Sequence, residues 1–405
     1  MAGALFVSGF EVDLLLIVTS LIILIGYISQ IAFRITKIPE VLILISIGLL
    51  LGPVFHLLPS AYISTLRGLS PLFGSLAIIM IIFNGGRRIR LTAESLSESK
   101  GYLLAIVDIV LVSAISALFM FFVFGWPLVY GALLGAILGE TSAIVIIPII
   151  SRLKMSHKLY EIISIESTFN SVFSILAFYL LLLPISGKVI TIAYSLQYIF
   201  SYISVAVILG LVSGIGWLIM QNSFGRARNY LVTIAIAILL YGVTDLFNAA
   251  GVVAVLAFAI IIGNAKTINK KIGLKTSKNL QGNKSVELEM EFLLRTFFFV
   301  LLGVIAVISF YYFLFAVILT IIVIMARKIE VEGLLHKMGS VEKDLVFSMM
   351  PRGLSAAVLS SILYATGYPY SAEIFYITFM ALVLTNIAFG IYTRRSAGTM
   401  KILKY

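Results

Sequence analysis

The chain has 405 residues, 61% of them hydrophobic and 12% charged, and its mean hydropathy is +1.13. Soluble domains carry roughly 25% charged residues, so a soluble protein of this length is excluded and the chain is read as an integral membrane protein. The formal net charge of +11 would suggest nucleic acid on a soluble chain. Here it reads as Lys and Arg enriched in inward-facing loops, and no nucleic-acid partner is expected.

Cysteine is absent, which removes disulfides, thiol catalysis and Cys-ligated metal. His56, His157 and His336 fall in predicted loops far apart in sequence, so no zinc site and no cofactor are expected. The N-terminus carries Glu11 and Asp13 in place of a basic leader, and no signal peptide is expected.

A helix needs about 20 apolar residues to cross a bilayer. In chain order, about thirteen such segments are predicted. They lie near 12–33, 38–57, 69–86, 101–124, 127–150, 160–184, 190–220, 229–246, 249–264, 287–305, 308–327, 343–365 and 371–392. The runs are continuous, not alternating, so the fold class is all-α polytopic and a strand barrel is excluded. Of the 29 Lys and Arg, Arg67 and Lys188 lie in loops on one side, Arg295 and Arg352 lie inside apolar runs, and the others cluster in the alternate loops. That asymmetry places the N-terminus outside and the C-terminus in the cytoplasm of a cell-membrane protein. The stretch 265–285 is the longest polar segment. Its lysines read as a solvated cytoplasmic linker, with anionic lipid contact as the alternative.

Polar groups inside spans are costly, so each is a functional candidate. The fourth span holds Asp108, a buried acid with no partner visible from sequence. The fifth reads GALLGAILGETSAIVIIPII. Gly131, Gly135 and Gly139 share one face, where another helix can approach closely. Glu140, Thr141 and Ser142 then interrupt the run, and Pro148 removes a backbone donor. The twelfth span is interrupted in the same way by Pro351, Arg352 and Gly353. Two interrupted helices at corresponding positions point to a transporter site and to an inverted repeat, with spans 1–6 related to spans 8–13. A proline kink with a packed glycine face would explain one such helix; a matched pair favours a site.

The sixth span places Glu166 and Asn170 on one helix face, near Ser167, Thr168 and Ser171. A carboxylate in the membrane must be protonated, paired or ion-bound. A group that takes either a proton or a cation makes the two compete, which is the physical minimum for antiport. The alternative is that Glu166 is locked in an ion pair with Arg327 or Arg352. Gly210 and Gly214 suggest helix packing or a dimer contact, and Glu291 with Arg295 suggests a local pair on the tenth span.

The stretches KIPEVLILISIGLLLGP (37–53), FNGGRRIR (83–90), GETSAIVIIP (139–148), ESTFN (166–170), RTFFFVLLG (295–303) and MMPRGLSAAVL (349–359) occur in that order. On these residues the chain resembles the monovalent cation/proton antiporter superfamily, and most of all its thirteen-span prokaryotic sodium/proton antiporters. The resemblance implies a homodimer and crossing broken helices at spans 5 and 12. It implies a dimerisation part near 12–86 and 229–305, a mobile core near 101–184 and 308–392, and a linker helix near 190–220. It also implies that Glu166 pairs with Arg327, that Asn170 belongs to an Asn-Asp pair, and that Arg352 is the family's PRG-type arginine. The aspartate of that pair is replaced by Ser171, and an aspartate common in the broken fifth helix is replaced by Ser142. A serine can offer an oxygen but cannot titrate near neutral pH. Ser171 is read as a change compensated by Glu140, as an introduced change that disables the carrier, or as the mark of a non-antiporting relative.

The leading expectation is a secondary transporter exchanging Na+ or K+ for protons by alternating access, driven by an ion gradient. Thr141, Ser142, Glu166, Asn170 and Ser171 would bind the cation with Glu140, and Arg327 and Arg352 would balance charge. Its partners would be the cation, protons, the lipid bilayer and a second copy of the chain. Two other readings stay open: a carrier of an organic or anionic solute, using Arg352 and Arg295, and a transport-inactive sensor or scaffold. A membrane enzyme has least support, because no metal cluster or paired carboxylates at hydrolytic spacing are visible.

Overall fold

The computed structural model describes residues 9–36, 39–56, 60–89, 99–150, 153, 155–187, 192–223, 230–271, 273 and 284–399. Among them the chain is helical, without strands. The helices are α1 (Gly9–Thr36), α2 (Glu40–Leu49), α3 (Ser60–Arg88), α4 (Ser99–Phe124), α5 (Leu128–Leu138), α6 (Ala143–Ile150), α7 (His157–Ile185) and α8 (Ile192–Ser223). They continue with α9 (Tyr230–Leu246), α10 (Gly251–Gly263), α11 (Ala265–Lys271), α12 (Lys284–Ile305), α13 (Phe310–Leu334), α14 (Ser340–Ser348), α15 (Leu354–Thr366) and α16 (Ser371–Thr399).

Each predicted apolar segment coincides with one helix or with a helix pair. Five helical stretches are long and apolar enough to cross alone: Lys100–Phe124, His157–Ile185, Phe200–Asn222, Phe310–Leu334 and Ser371–Thr393. A sixth forms if α10 and α11, bent by 74°, are one span. The other apolar helices are shorter, so length and composition establish an all-helical multi-pass protein without fixing how many segments cross. The stretch 265–285 begins as helix, since α11 takes its first residues; 274–283 lies outside the described residues.

Small residues decide which helices touch. A Cβ added at Gly131, Gly135 or Gly139 would fall 2.8, 2.5 and 2.9 Å from the Cα atoms of Ala117, Ser113 and Ile109. The glycine face of α5 is therefore seated directly on the backbone of α4. Gly210 and Gly214 do the same for α8 against α10, with added Cβ atoms 2.7 Å from Ala257 Cβ and 2.8 Å from Ile261 Cβ. Of the two readings of that pair, packing within the chain is the one observed.

Helices α4, α5, α7, α13, α15 and α16 pack around one another, and α3 with α8 to α10 form a neighbouring group. Helix α12 lies on α2 and α3, and α15 rests on α3. The two interrupted spans appear as predicted: α5 and α6 flank an unwound segment at 139–142, and α14 and α15 flank another at 349–353.

Candidate ion-binding site

Unwinding at 139–142 frees backbone groups that a membrane interior cannot hydrate. The other break supplies their partners. Ser142 N–H donates to the Pro351 carbonyl at 2.9 Å. Arg352 Nη1 donates to the carbonyls of Glu140 at 2.8 Å and Gly139 at 3.3 Å, so a guanidinium neutralises the C-terminal end of α5. In return, Glu140 Oε2 accepts from Gly353 N–H at 3.1 Å, putting a carboxylate at the N-terminus of α15. Gly353 has to be glycine here, because a Cβ would collide with the Ser142 side chain. Asn386 Nδ2 donates to the Arg352 carbonyl at 2.8 Å and holds the second break from α16.

Helix α7 closes the site from the side. Ser171 Oγ donates to Glu140 Oε1 at 2.9 Å. Asn170 Nδ2 donates to Asp108 Oδ2 at 3.3 Å, and the same oxygen lies 3.3 Å from Arg352 Nη1. Asp108, partnerless from sequence, is thus the counter-ion of the crossing. Sequence spacing could not reveal this, because its partners are 62 and 244 residues away. Thr141 and Ser142 are buried at the break. Asp108 Oδ1, Asn170 Oδ1 and Thr141 Oγ1 are buried with no hydrogen-bond partner. Thr141 stands at the break itself and Asp108 and Asn170 on the intact α4 and α7, and hard oxygen atoms are the donors a small cation needs.

Glu166 stands apart from this group. Both its oxygens are on Arg327, one through Nη1 and the other 3.1 Å from Nη2, so the ion-pair reading describes it and a free ligand does not. Arg327 Nη2 also donates to the Val346 carbonyl at 2.8 Å, and Nη1 meets Glu330 on its own helix. Arg352 pairs with Asp108, not with Glu166. The local Glu291–Arg295 pair does not form: Arg295 Nη2 lies 3.0 Å from Glu40 on α2, and Glu291 Oε2 accepts from Asn84 at 3.2 Å. The two arginines that would suit an anionic solute are therefore both held by carboxylates.

Among the described residues, the buried Asp, Glu, Lys and Arg side chains are Asp108, Glu140, Glu166, Glu330, Arg327 and Arg352. Glu330 is the one that sequence reading missed. The predicted eleventh span stopped at 327, whereas α13 runs on to Leu334.

Paired helix breaks that carry buried charge are the architecture of secondary ion carriers. The chain matches the family described as "Sodium/hydrogen exchanger, transmembrane" over residues 20–396. It is similar in fold to the sodium proton antiporter MjNhaP1 from Methanocaldococcus jannaschii, with a TM-score of 0.81 at 20% identity over 98% of this chain and 100% of that one. An electron-microscopy structure of MjNhaP1 gives a TM-score of 0.77 at 20% identity, over 96% and 98% of the two chains. In sequence it is 26% identical over 202 residues to the K(+)/H(+) antiporter NhaP of Alkalimonas amylolytica, a match spanning 48% of this chain and 35% of that protein. The chain belongs to the sodium/hydrogen exchanger family.

Proposed function

We propose that the protein exchanges a monovalent cation, Na+ or K+, for protons by alternating access, and that Glu140 is the carboxylate for which the two compete. One observation carries this reading. Glu140 is buried at the crossing and held by Ser171 Oγ and Gly353 N–H, while Arg352 addresses its backbone oxygen. The other buried acids each touch a guanidinium. Glu140 touches no guanidinium through its carboxylate, so it needs a proton or a cation to be neutral.

Thr141, Ser142, Asn170 and Ser171 complete the shell in this reading, with Asp108 supplying a free oxygen. Arg327 and Arg352 balance charge, and Glu166 serves as the partner of Arg327. Ser171 is then a change compensated by Glu140, and transport survives it. The relatives' names supply the two candidate cations. The apolar segments support thirteen spans, the loop charges an outside N-terminus and a cytoplasmic C-terminus, and the family resemblance a homodimer in the cell membrane. In this arrangement 12–86 and 229–305 form the dimerisation part, 101–184 and 308–392 the moving core, and 190–220 the linker. The grouping of α4 to α7 with α13 to α16 supports that division.

The test is reconstitution in liposomes with an imposed pH gradient, reading lumenal pH after adding Na+, K+ or Li+. The parent dissipates the gradient with Na+ or K+, and Glu140→Gln does not. A parent that moves no protons with any of the three overturns the reading and favours a transport-inactive relative. A Glu140→Gln variant as active as the parent overturns the role of Glu140.

A further inference from the structure

Glu330 follows Arg327 by three residues on α13, near the polar end of the helix, yet it is only 1% exposed. One of its oxygens meets Arg327 Nη1, and Oε2 is buried with no hydrogen-bond partner. Arg327 simultaneously holds both oxygens of Glu166. One guanidinium therefore serves two carboxylates, and among the described residues no other cation is in contact with either. From α4 the charged group that acts on Glu330 is another acid, Asp108, which already occupies Arg352. Helix α7 contributes Glu166 itself. Helix α14 gives Arg327 the Val346 carbonyl, an acceptor; its own Glu342, Lys343 and Asp344 lie on partly or fully exposed positions, with Lys343 paired to the exposed Glu332. On α16 the acid is Glu373, in the opposite first turn.

A buried charge without a partner is neutralised most cheaply by a proton. We propose that Glu330 and Glu166 share one proton, forming a proton-binding site on Arg327 separate from the helix crossing. Loading this site makes the cluster neutral and keeps α7 joined to α13 and α14. Emptying it leaves two like charges on one guanidinium and loosens that junction. The site does not depend on which cation the crossing accepts.

Infrared difference spectra of the full chain in lipid, taken between mildly acid and alkaline buffer, read protonated carboxyl groups directly. The expected result is a carboxyl C=O band that is lost on alkalinisation, removed by Glu330→Gln and left in place by Glu140→Gln. A band unchanged in Glu330→Gln overturns the proposal. Because Gln imitates the protonated acid, Glu330→Gln is expected to melt with the parent at acid pH and above it at alkaline pH. A variant that fails to fold, or melts lower at acid pH, shows that Glu330 is required as a charge and overturns the proposal equally. The spectra need no transport. A parent that carries no cation but shows the Glu330 band refutes the exchange reading and leaves the proton site standing.

Discussion

Ser171 on α7 donates its hydroxyl to Glu140 on the unwound end of α5, at 2.9 Å. Where the family resemblance leads one to expect an acid on α7 this chain has Ser171, and Glu140 faces it across the same seam. Moving the acid back should preserve exchange: Glu140→Gln combined with Ser171→Asp recovers the activity that Glu140→Gln alone loses. Ser171→Asp by itself puts two carboxylates within contact, where they share a proton, so its exchange shifts to more alkaline pH. Ser171→Ala removes one charge-assisted hydrogen bond, about 1.5–3 kcal/mol, and weakens apparent cation affinity by roughly 10- to 100-fold. Lumenal pH recordings across a range of buffers read all four variants.

Competition at a single carboxylate fixes how rate depends on pH. Below the pH at which protons win Glu140, the apparent KM for the cation rises about tenfold per pH unit by mass action, while the maximal rate is unaffected. A KM independent of pH with a falling maximal rate would place the proton elsewhere.

Much of this site is legible in the sequence, and the illegible part has a physical cause. The glycine face of α5, the breaks at Glu140–Ser142 and Pro351–Gly353, and the Glu166–Arg327 pair follow from spacing, chemistry and the family resemblance. The pairings of Asp108 do not, because a salt bridge over 244 residues leaves no local signal. Helix spacing offers Arg295 the neighbour Glu291, whereas tertiary packing brings it Glu40. Glu330 sits in a polar run that reads as a solvated helix end, yet it is buried and paired with Arg327.

Arg327 is the most exposed to mutation of the buried charges. Arg327→Met leaves Glu166 and Glu330 without their guanidinium, at a cost of about 3–5 kcal/mol, and the melting temperature in detergent drops accordingly. Adding Glu330→Gln to it restores part of the loss. Arg327→Lys does not, because a single ammonium cannot span Glu166 and the Val346 carbonyl as the planar fork does.

At the crossing, space is as limiting as charge. Gly353→Ala drives a methyl into Ser142 and pushes the two breaks apart. A cost of about 1–3 kcal/mol in stability should accompany a near-complete loss of exchange. Gly216→Ala is the control: no atom lies within 4 Å of its added Cβ, and alanine favours helix, so stability holds or rises with unchanged exchange.

The seating of Gly131, Gly135 and Gly139 on α4 brings the two backbones into direct contact. The helix that leads into Glu140 and the helix that carries Asp108 therefore ride on one plate, and the two acids should move together. A carrier built this way meets its cargo with the same arrangement of oxygens from either face of the bilayer. Its ranking of Na+ against K+ should come out the same inward and outward, even where the two rates differ.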